Sequence, residues 1–213
     1  MRIPVIIMAG GKSNRFDFDK TQLKYREKLL LPLGGKFIVE YVIKAVLNAK
    51  NIERIIFAVS PFTPNTKSLV LANKEPLELI DTPGKNYHSD LKFVVKSLNL
   101  GIVMTIAADI PLIRPEILDE IIEKYFSLKK PALTVMTEVN LLIKHNLTPT
   151  VKFQLDKQKS LVPLGINIID GRLIDQSEIE QSILISKWIE LIYNVNTFND
   201  YFQLKKKFKK LKN

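Results

Sequence analysis

The residues best suited to chemistry in this chain stand directly after apolar runs. MAGGKSNRF, Met8 to Phe16, follows at once on Ile3-Pro4-Val5-Ile6-Ile7 and places two of the chain's eight glycines side by side, at Gly10 and Gly11. Glycines there can take positive φ and let a ligand come up against bare backbone. Consecutive N–H groups with Lys12 and Arg15 alongside suit a triphosphate. A plain tight turn with solvated cations is the bland alternative, and from G-G-K alone the two stand about level. The loop carries neither G-x-x-x-x-G-K-[ST] nor G-x-G-x-x-G, so two familiar phosphate signatures are excluded. Asp109, in TIAADIP, directly follows Ile102–Ala107, where a carboxylate can hold a divalent cation against phosphates or simply cap a turn. Asn196, in YNVNTFND, ends a later apolar run and has the same two readings, ligand or cap.

These positions must be held by an alternation of strands and helices. Ile3–Ala9, Arg54–Ser60, Leu77–Asp81, Gly101–Ala107 and Ala132–Thr137 read as strands, with Val151–Leu155, Leu161–Ile169 and Leu191–Val195 as later ones. A hairpin around Asp156–Ser160 is one reading of the second group. Helical spacing predicts helices over Ile38–Asn48, Thr63–Asn73, Ser89–Leu98, Pro115–Leu128, Asp175–Ile185 and Phe198–Leu211. The alternation implies an α/β fold, a single domain over residues 1–213 with a mostly parallel central sheet and helices on both faces. In such sheets ligands bind outside the carboxyl ends of the strands. That singles out Gly10–Arg15, Ser60–Thr63, Asp81–Lys85, Asp109 and Asn196.

Composition narrows the classes. The chain has 213 residues, 46% hydrophobic and 25% charged, as expected of a globular protein. No apolar run approaches the roughly 20 residues of a membrane span, and Met-Arg-Ile-Pro does not resemble a secretory leader. The absence of cysteine excludes disulfides, thiolate metal sites and cysteine nucleophiles, and makes a cytoplasmic location the expectation. The net charge of +10 favours anionic partners. Six lysines fall in QLKKKFKKLKN, a run that reads as the solvated end of a lysine-rich helix over 198–213. A nucleic-acid binder would interleave aromatics with such charges, and the tail offers only Phe202 and Phe208.

A strand ending in M-A-G-G-K-x-x-R, then E-K-x-L-L-x-L-x-G-K, a strand-ending A-x-D and a late V-N-T resemble the GT-A-like nucleotidyltransferases, which include the molybdenum-cofactor guanylyltransferases. AVSPFTPNTKSLV, IDTPGKNYHSDL and LVPLGINII look like the archaeal-type adenosylcobinamide-phosphate guanylyltransferases of cobalamin synthesis. The resemblance runs from Ile3 to about Leu204. It implies a Rossmann-like fold of the GT-A type and transfer of GMP from GTP to a phosphorylated corrinoid, with pyrophosphate leaving. Backbone at Ala9, Gly10 and Gly11 is then expected to hold the nucleotide, with Lys12 and Arg15 on the β- and γ-phosphates and Lys28 on the α-phosphate. Asp109 is expected to carry Mg²⁺, with Asn196 as second ligand, so that Arg15, Lys28 and Asp109 form the catalytic set.

The same resemblance puts base and ribose near Ser60-Pro61 and the Asp81–Asp90 loop. Asp81 and Asp90 are equal candidates for reading guanine, and Gly165 is expected to let a phosphate approach closely. It implies small-molecule partners, without nucleic acid or membrane, and is compatible with a homodimer. The stretch FDFDKTQLKYREK from Phe16 to Lys28 is longer than the corresponding crossing in relatives, which leaves Lys20 and Lys24 as alternatives to Lys28. Molybdenum-cofactor guanylyltransferase is the alternative within the fold, but those relatives keep a compact Arg-to-Asp-Lys stretch that this chain lacks. His88 and His145 are expected to be bystanders.

Overall fold

The computed structural model describes residues 1–20, 26–149, 151–154 and 160–212. Its first strand, β1 (Ile3–Met8), is apolar throughout because both of its faces are covered. Val5 and Ile7 join the larger core cluster and Ile6 the smaller one on the opposite face. A small antiparallel hairpin, β2 (Pro32–Leu33) and β3 (Lys36–Phe37), precedes helix α1 (Ile38–Leu47). Then follow β4 (Ile52–Val59), α2 (Pro64–Asn73), β5 (Glu78–Asp81), α3 (Tyr87–Ser97), β6 (Ile102–Ala107) and α4 (Pro115–Ser127). The later half holds β7 (Ala132–Glu138), α5 (Val139–Lys144), β8 (Phe153–Gln154), β9 (Ser160–Asp170), β10 (Gln181–Ile185) and α6 (Phe198–Lys212).

The main sheet runs β10-β7-β9-β6-β1-β4-β5, with β8 paired to β9. β1 is parallel to β4 and β6, β4 to β5, and β7 to β10, while β9 is antiparallel to β6, β7 and β8. The expected mostly parallel sheet is therefore present, with one reversed strand inside it. Helices cover both faces. α1, α4 and α6 supply Val42, Ile121 and Leu204 to the larger core. α3 packs Leu91, Val94 and Val95 onto Ile6, Ile56, Ala58 and Val103 of β1, β4 and β6 on the other face. No helix among the described residues is long and apolar enough to cross a membrane.

Three expected elements are corrected. Residues Asp175–Ile185, expected as a helix, end instead in β10, where Ile183 and Ile185 alternate with Ser182 and Leu184 at strand period and pair with β7. Leu191–Val195, expected as a strand, contains a 3-10 turn over Ile189–Ile192; its apolar residues are buried by packing without sheet pairing. Within Val151–Leu155 the strand covers only Phe153–Gln154, and Leu155 lies outside the described residues. α3 also begins at Tyr87 rather than Ser89, because the Asn86 side chain accepts from the Ser89 N–H at 2.9 Å and caps the first turn. That two-residue difference puts Tyr87 on the helix.

Phe57 on β4 is fully buried. Phe57→Ala is expected to lower the unfolding free energy by about 3–5 kcal/mol with an unchanged denaturant slope, measured by urea titration.

Candidate functional site

Beyond the carboxyl ends of β1 and β6 lies a cavity of about 350 Å³. It is lined by Ala9, Gly10, Gly11 and Lys12 after β1, by Lys28, by the Gly84–Tyr87 turn with Asp90, and by Asp109 after β6. The β1 loop is fixed from behind. Ala9 N–H donates to the Ala58 carbonyl at 2.8 Å, and the Ser60 hydroxyl donates to the Gly10 carbonyl at 2.8 Å. A Cβ on Gly10 would stand 3.0 Å from Cβ of Ser60, so this glycine permits close packing of two strand ends. Neither Gly10 nor Gly11 uses the positive φ open to it; Ser13 does take one, at 55°. At Gly11 the space beside the backbone is open, leaving bare peptide toward the cavity. Lys12 Nζ sits 4.6 Å from the centre of the Phe62 ring.

Lys28 reaches into the cavity because the residue before it is anchored. Glu27 is buried, and its carboxylate accepts from Asn65 N (2.8 Å), Asn65 Nδ2 (2.7 Å), Thr66 N (2.8 Å) and Thr66 Oγ1 (2.6 Å). These backbone donors belong to the first turn of α2, where N–H groups lack helical partners and negative charge is favoured. Leu29, Leu30 and Leu31 are buried on the other side. Held this way, Lys28 Nζ forms an ion pair with Asp109 Oδ2 and donates to the Val195 carbonyl at 2.9 Å. The Val195 N–H in turn donates to the Asp109 carbonyl at 3.0 Å. Lys20, the alternative lysine, is exposed and paired with Asp17 at 2.9 Å; Lys24 lies outside the described residues.

Arg15 and Asn196 do not line the cavity but meet beside it, Arg15 Nη2 donating to Asn196 Oδ1 at 3.2 Å. Phe16 fixes the approach by packing on Phe18, Phe198 and Tyr201. Asn196 is set by a capping box at the start of α6. The buried Asp200 carboxylate accepts from the N–H of Asn196 (3.2 Å) and of Thr197 (2.8 Å), while Asp200 N donates to Thr197 Oγ1 at 3.2 Å.

The two acidic candidates separate. Asp81 is exposed, pairs with Lys67 at 2.7 Å and stands outside the cavity. Asp90 is buried, and its Oδ1 accepts from the N–H groups of Gly84 (3.0 Å) and Lys85 (3.3 Å). Its Oδ2 has no partner among the described residues. Ser60 supports the loop rather than lining the cavity. Gly165, with φ of 73°, lies against Ala107: a Cβ there would stand 2.9 Å from the Ala107 Cβ. His88 lines a neighbouring cavity. His145 bonds Tyr193 Oη at 3.1 Å, and burial, then Lys207 and Lys144, hold its pKa below the ordinary histidine value. Phe208, half of the aromatic pair in the lysine-rich tail, packs against Tyr41.

Asp109 Oδ1 is the one buried side-chain polar atom without a hydrogen-bond partner among the described residues. A buried carboxylate oxygen left unpaired is costly, and a hard divalent cation is its natural complement. No group of three or more His, Asp or Glu side chains able to hold a metal occurs among the described residues. A cation here would fill its shell with phosphate oxygens and water, as Mg²⁺ does beside one or two carboxylates; Asn196 Oδ1, the second oxygen expected from the sequence, accepts instead from Arg15. The residues present fit that ion. Sequence reasoning did not find the Glu27 anchor or the Lys28–Asp109 pair. A carboxylate adjoining the lysine was the available signal.

Comparison with known proteins bears on this geometry. The description "MobA-like NTP transferase domain" matches residues 5–160. The adenosylcobinamide-phosphate guanylyltransferase of Methanocaldococcus jannaschii is 28% identical over 199 residues, 92% of this chain and 92% of that one. A probable molybdenum cofactor guanylyltransferase of Thermococcus sibiricus is 25% identical, with 94% of this chain and 96% of that one covered. Among solved structures, a CMP:2-keto-3-deoxy-manno-octonic acid synthetase complexed with CTP superposes with a TM-score of 0.72 at 15% identity, covering 99% of this chain and 100% of that one.

Glu27→Ala removes four accepted hydrogen bonds at a helix start and is expected to destabilise the fold by about 2 kcal/mol in urea titration. Asp81→Ala, which breaks an exposed pair, is expected to stay within about 0.5 kcal/mol of the parent.

Proposed function

The chain belongs to the MobA-like NTP transferase family, and from that premise we propose that it transfers GMP from GTP to the phosphate of adenosylcobinamide phosphate, releasing pyrophosphate. One observation carries the reading: bare backbone at Gly10 and Gly11, the cations Lys12 and Lys28, and the carboxylates Asp90 and Asp109 all open onto one cavity. The acceptor is argued from the Methanocaldococcus jannaschii relative, aligned along nearly the whole chain.

Each group has a task. The N–H groups after β1 and Lys12 receive the β- and γ-phosphates, with Arg15 beside them. The Lys28 ammonium moves from Asp109 to the α-phosphate, a short shift for a side chain held at its base by Glu27. Asp90 Oδ2 takes the paired N–H donors on one edge of guanine, while Oδ1 keeps the loop in place. The acceptor phosphate has a second pKa near 6 and is largely dianionic at neutral pH, so attack on the α-phosphorus needs no general base. Bringing two polyanions together is the obstacle, and positioning with charge neutralisation removes it. Mg²⁺ held by Asp109 and Asn196 would supply further neutralisation of the phosphates when bound.

Calorimetric titration with GTP, ATP and CTP, with and without Mg²⁺, tests the donor. Selective GTP binding is expected, and its absence overturns the reading. Asp90→Asn is expected to weaken GTP binding by about tenfold or more, since a site built for donors rejects what it cannot pair. Asp109→Ala and Arg15→Ala are each expected to lower kcat by about a hundredfold or more with the fold intact. Transfer to molybdopterin but not to adenosylcobinamide phosphate would replace the acceptor and keep the chemistry.

A further inference from the structure

The lysine-rich stretch has no part in the nucleotide cavity. It folds as the C-terminal half of α6, a helix whose inner face is spent on the core. Tyr201 and Leu204 are buried, Tyr201 Oη donates to the Pro32 carbonyl at 2.5 Å, and Phe208 packs edge to face on Tyr41. The opposite face carries Phe202, Lys206, Lys209 and Lys210, whose spacing of i, i+4, i+7 and i+8 puts them on one side of a helix, with Lys205 at its margin. All five are exposed. The Phe202 ring is 47% exposed, with Lys206 Nζ 4.3 Å from its centre.

No carboxylate among the described residues neutralises this face. Elsewhere on the surface Lys67, Lys92, Lys96 and Lys130 are each paired with an acid, whereas no lysine of α6 forms an ion pair among the described residues. Asp200, the acid of the helix, is buried on the N–H groups of Asn196 and Thr197. Glu40, beside Tyr41 on α1, accepts from the Phe37 N–H at 2.6 Å. Further cations extend the patch instead: Lys207 and Lys144 of α5 both bear on His145. Lys20 Nζ, though paired with Asp17, stands 6.0 Å from the Phe198 ring at the start of the helix. Like charges three and four residues apart destabilise a helix, so the row is at odds with the fold taken alone.

We infer that this face of α6 docks the protein on an anionic lipid surface, lying against the headgroups without crossing the bilayer. The inference stands apart from the transferase reading and adds a partner to the small molecules expected from the sequence. Charge complementarity sets the sign of the partner, and side-chain chemistry sets its class. Every cation of the face is lysine, and no arginine follows Arg172. Lysine is a hydrated point charge, whereas the forked recognition of nucleic-acid phosphates and of protein carboxylates favours arginine. Lysines clustered on a helix are drawn to a bilayer by its summed field, with no fixed geometry for any one of them. Binding a nucleic-acid strand takes several exposed aromatics for stacking, and here Phe208 is turned onto Tyr41, leaving Phe202. One apolar ring among lysines is what enters the boundary between headgroups and acyl chains. Since α6 starts directly after Asn196 and is about 22 Å long, docking holds the nucleotide cavity within about one helix length of the lipid.

The test is co-sedimentation of the full chain with vesicles of phosphatidylcholine alone and of equal parts phosphatidylcholine and phosphatidylglycerol. Binding is expected on the anionic vesicles only, weakening as salt is raised. Combined Lys205→Gln, Lys206→Gln, Lys209→Gln and Lys210→Gln is expected to lower the partition coefficient by about a hundredfold or more, from about fivefold per lysine, with the urea midpoint retained. The same charge removed at exposed Lys50, Lys124, Lys129 and Lys187 is expected to change it by less than about threefold, since these lie off the docking face. Failure of the parent to sediment with anionic vesicles overturns the inference. So does binding indifferent to salt, which needs no variant, or an equal loss in the second set, which would assign the effect to net charge. Tighter binding to an RNA or DNA duplex than to the anionic vesicles at equal salt also overturns it, by giving the face to nucleic acid.

Discussion

A lysine and a carboxylate meet in the protein interior at the carboxyl end of β6, and three distant parts of the chain are drawn together there. Lys28 arrives from the segment before the β2–β3 hairpin, Asp109 from the end of β6, and the Val195 carbonyl from the stretch before α6. Burying opposite charges costs solvation that their attraction repays only when geometry and further hydrogen bonds are good. Here the lysine has its additional acceptor, while one oxygen of the carboxylate has none. The pair is thus complete as scaffolding and incomplete as electrostatics. Its remaining demand is for positive charge at the place where phosphates are expected to arrive.

The anchor of that pair is itself an electrostatic device. Glu27 neutralises the start of α2 and in return fixes the backbone of its neighbour, so a helix terminus on one side of the β1 loop governs the reach of a cation on the other. Asp200 does the same at the start of α6, where it fixes Asn196. Two buried carboxylates that touch no cation among the described residues thereby place two groups of the site. Most lysines behind the net charge of +10, those of α6 above all, lie on solvated surface.

Much of this was legible in the amino-acid sequence, for identifiable reasons. β1, β4 and β6 are buried over most of their length, and their largely apolar runs announce it; Asp109 and the Gly10–Lys12 loop follow from where those strands end. Elements whose state is decided by partners rather than by period were misread. QSILI pairs with β7 at the sheet edge, and LIYNV fills the core without pairing at all. The choice between Asp81 and Asp90 was undecidable from type and spacing, because only the fold turns one to Lys67 and the other to the Gly84–Lys85 backbone. The positive φ of Gly165 and its contact with Ala107 are likewise set by the fold and not by spacing. Glu27 was visible only as a carboxylate adjoining a recognisable lysine; its partner, the first turn of α2, is supplied by the fold.

The reversed strand β9 has a bearing on how such a protein diversifies. Every residue lining the nucleotide cavity falls between Met8 and Asp109, whereas β7, β9 and β10, which line the neighbouring cavity, begin at Ala132 or later. β9 inserts between β6 and β7 and so welds the later stretch to the earlier one through two antiparallel ladders. The stretch that carries the phosphate-binding turn and the stretch that follows it are thus joined along a seam of backbone hydrogen bonds that is indifferent to side-chain identity. Outward-facing residues on the later strands can then be exchanged without disturbing the phosphate-binding turn.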